Sequence, residues 1–95
     1  MFDLKDLTPD HFRPLIGNSL TIDGTDHALV VESVELIKSP SPRGQPFSLT
    51  LVAPEGLRGP QGIYRLLHPE LGVLSVFLVP MELKQGSFRL EAVFN

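Results

Sequence analysis

The chain has 95 residues, of which 42% are hydrophobic, a formal net charge of −3 and no cysteine. This length predicts a single domain over residues 1–95 with one core. The lack of cysteine excludes disulfides and thiolate zinc sites. The acidic balance, without any run of Lys or Arg, argues against nucleic acid as a partner.

The start of the chain and its longest apolar run argue against export and membrane insertion. The opening Met-Phe-Asp-Leu-Lys-Asp carries acidic residues and lacks the apolar region of a signal peptide. The apolar run over residues 73–81 is broken by Ser75 and Pro80 and is too short for a spanning helix. We therefore expect no membrane partner and a cytoplasmic location, or assembly into a particle.

The N-terminal residues predict one short helical turn. Thr8 is a suitable N-cap and Pro9 a suitable first helical residue, because the missing N–H of proline has no partner there. Leu7 and Phe12 have the spacing of a hydrophobic staple. Pro14 disfavours helical geometry in the residue before it, so the turn is expected to end there.

From residue 18 onward the sequence predicts strands and turns. The predicted strands span residues 18–22, 27–38, 47–51, 61–68, 73–79 and 87–95. The Asp23-Gly24 pair predicts a two-residue type I′ hairpin, and Pro- and Gly-containing loops are expected over residues 39–46 and 53–60. The fold class is therefore all-β: a small antiparallel barrel or rolled sheet of about six strands, with the short N-terminal helical turn. Closure removes sheet edges and favours a barrel over the alternative, an open sandwich.

The second predicted strand changes its apolar register midway. Leu29 and Val31 share one face, whereas Val34 falls on the opposite parity. One extra residue near Glu32 and Ser33 would bring all three side chains to the same side. We therefore predict a β-bulge at this point.

The strand over residues 73–79 is apolar on both faces. The residues expected to face the core are Leu74, Val76 and Leu78. The opposite face carries the candidate interface residues Val73, Phe77 and Val79. Two explanations stay open for this second face. Either the segment around Leu15 and Ile16 covers it, or it binds a protein partner or a second copy of the chain.

Tyr64, Arg65 and His68 form a candidate polar patch at a barrel mouth, where binding sites often form. Tyr64 and His68 are four residues apart in a strand, so they are expected to share a face. The structural interpretation is that His68 hydrogen-bonds a loop carbonyl. Gly62 is expected where a bulky neighbour passes close to the backbone.

The sequence contains no pattern typical of an active site. It has no cysteine nucleophile, no Gly-x-Ser-x-Gly elbow and no metal-ligand spacing among its histidines. We therefore predict no catalytic residue, no cofactor and no metal.

The motif Gln61-Gly62-x-Tyr64-x-Leu66-x-His68-Pro69-x-Leu71-Gly72 is the most specific part of the chain. With the segments over residues 12–17 and 91–95, it resembles a family of small bacterial all-β domains of unknown function. The resemblance identifies no activity and no catalytic residue. It implies a non-enzymatic structural or protein-interaction domain, as in a phage-tail-like assembly. The alternative is a small-ligand-binding β-barrel.

Overall fold

A computed structural model describes residues 7–38, 46–53, 60–81 and 88–94. Two short 3-10 turns come first, Pro9–His11 and Arg13–Leu15. Six strands follow: β1 Ser19–Thr21, β2 Ala28–Leu36, β3 Phe47–Val52, β4 Gly62–His68, β5 Gly72–Pro80 and β6 Arg89–Phe94. The all-β prediction is confirmed. Most of the two predicted loops, over residues 39–46 and 53–60, lies outside the described residues.

The strands form a nearly closed antiparallel barrel in the order β1-β2-β3-β6-β5-β4. An antiparallel bridge between Ile22, just after β1, and Leu66 of β4 joins the two ends of this sheet. The backbone N–H of Asp23 donates to the Arg65 carbonyl at 2.7 Å, and the two side chains form an ion pair at 3.2 Å. These contacts close the sheet, so the architecture is a barrel and not a sandwich.

The β-bulge in β2 is confirmed. Val31 lies opposite Leu51 and Ser33 lies opposite Thr50, so Glu32 is the extra residue. Beyond the bulge, Val34 packs against the same core as the buried Val31. One inserted residue therefore reconciles the two apolar registers of this strand.

The side chain of the bulged residue ties together two strands that are not neighbours. The Glu32 carboxylate accepts hydrogen bonds from Nε of Arg89 at 2.8 Å and from Nη2 at 2.7 Å. Because β3 lies between β2 and β6, this bidentate pair crosses over β3. The hydrogen bond to Glu32 is the main cause that raises the pKa of Arg89; charge attraction adds to it, and desolvation opposes it.

The connection between β1 and β2 is wider than the predicted two-residue hairpin. Thr21 and Ala28 are the last paired strand residues, and the Ile22 N–H donates to the His27 carbonyl at 2.9 Å, so residues 23–26 form the turn. The Thr25 hydroxyl donates to the Ile22 carbonyl at 2.8 Å and accepts from the His27 N–H at 3.1 Å. Asp23-Gly24 does make a tight turn, in which the Thr25 N–H donates to the Ile22 carbonyl at 3.1 Å. The Ile22 N–H, however, bonds to the His27 carbonyl and not to that of Thr25, so four residues and not two connect the strands.

The N-terminal turns close one end of the barrel. Thr8 is the N-cap and Pro9 the first residue, as predicted, and Leu7 and Phe12 are both buried. The expected end before Pro14 is wrong, because Pro14 is the second residue of the next 3-10 turn. Its missing N–H has no intrahelical partner to lose at that position.

The core combines aliphatic side chains with a cluster of aromatic rings. Its buried hydrophobic residues are Leu7, Phe12, Leu20, Leu29, Val31, Phe47, Leu49, Leu51, Ala53, Leu66, Leu74, Val76, Leu78, Leu90, Ala92 and Phe94. Phe47 and Phe94 stack with centroids 4.7 Å apart. The Phe12 ring lies 6.2 Å from Phe47 and 6.1 Å from Phe94. An N-terminal side chain thus packs against the paired strands β3 and β6 where Phe47 and Phe94 meet.

Replacing Phe12 by alanine is expected to lower the free energy of unfolding by about 3–5 kcal/mol, because it leaves a cavity among the aromatic rings. Urea denaturation of the purified protein measures the change. The control is Ile16→Ala, at an exposed position of the same segment, with an expected effect within about 0.5 kcal/mol. Equal effects of the two substitutions would contradict the assignment of Phe12 to the core.

Candidate interaction surface on the β4–β5 hairpin

Strands β4 and β5 form a hairpin in unbroken register, from the Gly62–Leu78 pair to the His68–Gly72 pair. Gly72 ends the reversal with φ +79°, which glycine adopts without strain. The packing role expected for Gly62 is wrong, because a Cβ there would have no heavy atom within 4 Å. Its φ of +158° gives a conformational reason for glycine instead.

The inner face of the hairpin belongs to the core. The residues buried there are Leu66, Leu74, Val76 and Leu78. Successive side chains of a strand point to opposite faces, so the residues between them must point outward. The inward set in β5 is the one that the sequence predicts.

The outer face of the hairpin is exposed and mostly apolar, with the polar Arg65–Ser75 pair in its middle. Ile63 lies opposite Phe77, and their side chains are 71% and 52% exposed. Leu67 lies opposite Val73, and Val79 is 40% exposed. We call Ile63, Leu67, Val73, Phe77 and Val79 the outer hairpin face. Large apolar side chains grouped in this way typically mark a contact surface.

In the described part of the N-terminal segment, which begins at Leu7, no residue covers this face. Leu15 packs against the core and Ile16 is itself exposed. The Gly17 N–H donates to the Val31 carbonyl of β2 at 2.8 Å, and β2 is three strands away from β5 in either direction around the barrel. Intramolecular cover by Leu15 and Ile16, one of the two explanations from the sequence, is therefore wrong.

The three residues of the polar patch do not converge. Tyr64 is half-buried and its hydroxyl donates to the Pro60 carbonyl. Arg65 points to the outer face, where it pairs with Asp23, and lies on the opposite side of the strand from Tyr64. His68 shares the inner face and is only 5% exposed. The arrangement separates the cation from the two ring side chains.

His68 has a defined tautomer and a structural position. Its Nδ1 accepts from the backbone N–H groups of Glu70 and Leu71, both at 3.1 Å, so it carries no proton. Its Nε2 lies 2.9 Å from the carbonyl oxygen of His11 and must therefore donate. The ring also meets Phe12 edge-on at 5.7 Å. One side chain thus holds the hairpin turn and fastens the first N-terminal turn to β4.

Sequence reasoning missed Ile63 and Leu67 as members of the outer face. Strand alternation predicts that Ile63 shares a face with Arg65, but alternation alone does not give its pairing with Phe77. The available signal was the reversal from His68 to Gly72, because a turn of known length sets the register of the two strands. Counting back from that turn places Ile63 opposite Phe77.

Other kinds of site find little support in the described part of the chain. There, no three His, Asp or Glu side chains come together to hold a metal ion. Within residues 7–38, 46–53, 60–81 and 88–94, no helix has the length and apolarity needed to cross a membrane. The most conspicuous surface feature is thus the outer hairpin face.

Fold and surface together define a small, nearly closed six-stranded barrel with one exposed apolar hairpin. The family model described as a domain of unknown function (DUF6916) matches residues 7–94, so the chain belongs to this family. No curated protein and no solved structure gives a significant match. Membership agrees with the resemblance to a family of unknown function and assigns no activity.

Replacing His68 by phenylalanine is expected to lower the free energy of unfolding by roughly 2–4 kcal/mol. The new ring keeps an aromatic neighbour for Phe12 but leaves the two turn N–H groups and the His11 carbonyl without their partner. Urea denaturation measures the loss. The control is His27→Phe, since the His27 side chain is exposed and its expected effect is within about 0.5 kcal/mol.

Nitrogen NMR of the unmodified protein provides a second readout for the same residue. It is expected to show His68 protonated at Nε2 and not at Nδ1. The opposite tautomer would contradict the assigned hydrogen bonds, whatever the stability of the variant.

Proposed function

We propose that this domain is a non-enzymatic protein-interaction module and that its contact surface is the outer hairpin face. The observation that carries the proposal is the exposed cross-strand pair of Ile63 and Phe77. Aromatic side chains that become buried on binding commonly dominate the energy of protein interfaces. Phe77 is therefore the proposed anchor of the contact.

The available apolar area is large enough to matter energetically. Covering the exposed half of a phenylalanine removes roughly 100 Å² from water, which is worth about 2.5 kcal/mol. Ile63, directly opposite, exposes a still larger fraction of its side chain. A partner that covers both residues gains a substantial part of the energy of a specific contact.

The hairpin holds this surface in place before any partner binds. Its inner face is anchored by buried residues, including Leu66 and Leu74. His68 fixes the reversal between the two strands through Nδ1, and its Nε2 joins the hairpin to the His11 carbonyl. A surface that is ordered in advance loses less conformational entropy on association.

The partner is a protein surface, either a second copy of this chain or a different subunit. A phage-tail-like assembly is one setting that suits a small barrel with one exposed apolar face. The alternative function is a small-ligand-binding barrel. The described residues do not favour it, because Arg65 points away from Tyr64 and His68, and the barrel end beside His68 holds the ring of Phe12.

The substitutions Phe77→Asp and Ile63→Asp are expected to abolish association while the protein stays folded. Both positions are exposed, so the free energy of unfolding should change by no more than about 0.5–1 kcal/mol. Ser75→Asp, on the same face at an exposed polar position, is the matched control. Light scattering over a dilution series measures self-association, and affinity capture from the source organism measures partners.

A Phe77→Asp protein that retains both its oligomeric state and every captured partner would overturn the proposal. So would an unmodified protein that is monomeric throughout the dilution series and captures nothing. Loss of association in Ser75→Asp as well would point to a charge effect instead of apolar contact.

A further inference from the structure

We call the junction of β5 and β6 the seam. Among neighbouring strands of the sheet, these two have the shortest ladder in the described residues. Within the described residues, the ladder across it consists of Val79–Glu91 and Pro80–Leu90, followed by a hydrogen bond from the Met81 N–H to the Arg89 carbonyl at 2.8 Å. β5 extends back to Gly72 and pairs there with β4, whereas β6 runs on to Phe94 beside β3. The ladder between the two strands therefore ends at the Val79–Glu91 pair.

We infer that the edge of β5 over residues 72–78 receives an extended segment of a partner protein, which pairs with it as an added strand. The inference rests on the proposed interaction function and specifies the partner's chemistry. In the described residues, Gly72 to Leu78 have ladder partners in β4 alone. The backbone groups of β5 that point toward β6 are consequently available to another chain.

The side chains beside the seam do not protect this edge. Natural edge strands are commonly guarded by lysine, by proline or by a bulge. Next to the edge, the outward side chains are Val73, Ser75 and Phe77 on β5, with Val93 on β6 48% exposed. The edges of β1 and β4 differ from this one, because the Ile22–Leu66 bridge and the Asp23–Arg65 ion pair join them.

The burial pattern indicates which side chains the added strand should carry. Val76 and Leu78 on β5 and Ala92 on β6 are at most 2% exposed, so the core beneath the seam is already filled. Side chains that point inward from the added strand must therefore be small. Those that point outward meet Phe77 and Val93, which favours β-branched apolar residues. The partner segment is thus an alternation of small and β-branched residues.

The test uses a capped octapeptide in which three Val-Ala repeats lie between terminal lysines. Its binding to the whole labelled protein is followed by NMR. Saturable shift changes are expected in the backbone amides of residues 72–78 and in Val93. The same peptide with alternate backbone nitrogens methylated is expected to bind at least about tenfold more weakly, because it cannot donate to the ladder.

Two substitutions separate edge pairing from contact through the outer hairpin face. Val93→Lys places a charge beside the seam and is expected to weaken peptide binding about tenfold. Ile63→Lys, on the outer face of β4 and away from the seam, should leave peptide binding unchanged. Hydrogen exchange of the free protein should show fast exchange at alternate amides within residues 73–78.

Three results would overturn the inference: no shift change with the peptide, equal binding of the methylated peptide, or uniform protection of the β5 amides. If Ile63→Asp abolishes partner association but Val93→Lys does not, the outer face binds without strand addition. In that case the proposed function stands and the edge inference fails. If neither substitution affects association, the proposed function fails as well.

Discussion

The packing of Phe12 at one end of the barrel is the contact on which the rest of the structure depends. The ring is fully buried and touches Phe47 of β3, Phe94 of β6 and His68 of β4. β3 and β6 are paired neighbours, but β4 has no ladder to either of them, so a single side chain joins β4 to this pair of strands. The backbone just before this ring is held too, because the His11 carbonyl accepts from His68.

This use of the N-terminal segment has a consequence for the outer surface. Leu7 and Phe12 are committed to the interior, and Gly17 is bonded to β2, so the segment cannot also cover β5. The apolar face around Phe77 is therefore exposed in the described part of the chain. The placement of the N-terminal segment thus has two results. It fills one end of the barrel, and it leaves the proposed interaction surface exposed.

The wall of the barrel is uneven in how strongly its strands are joined. β3 and β6 are paired along their whole length, and the Glu32–Arg89 ion pair reinforces them across β3. By comparison, the β4–β5 hairpin joins its neighbours through two ladder pairs on one side and one bridge on the other. The hairpin thus has an unbroken ladder of its own but few backbone hydrogen bonds to neighbouring strands. The burial of its inner face in the core holds it in place.

Much of the local structure was predictable because it depends on near neighbours. The bulge at Glu32 follows from the parity of Leu29, Val31 and Val34, and only one extra residue reconciles them. The reversal from His68 to Gly72 follows from a proline and a glycine at the right spacing. The contact of the β1–β2 turn with β4 was not predictable, since the Asp23 N–H bonds to the carbonyl of Arg65, a residue more than forty positions away.

The candidate site divides in the same way. By itself the sequence determined that β5 has two apolar faces and which of them enters the core, because side-chain alternation is a local property of a strand. Only the tertiary structure decided that Ile63 joins Phe77, that Arg65 turns away from His68, and that the outer face stays uncovered. Those outcomes depend on which distant segments meet when the barrel closes, and that is set by the packing of the whole chain.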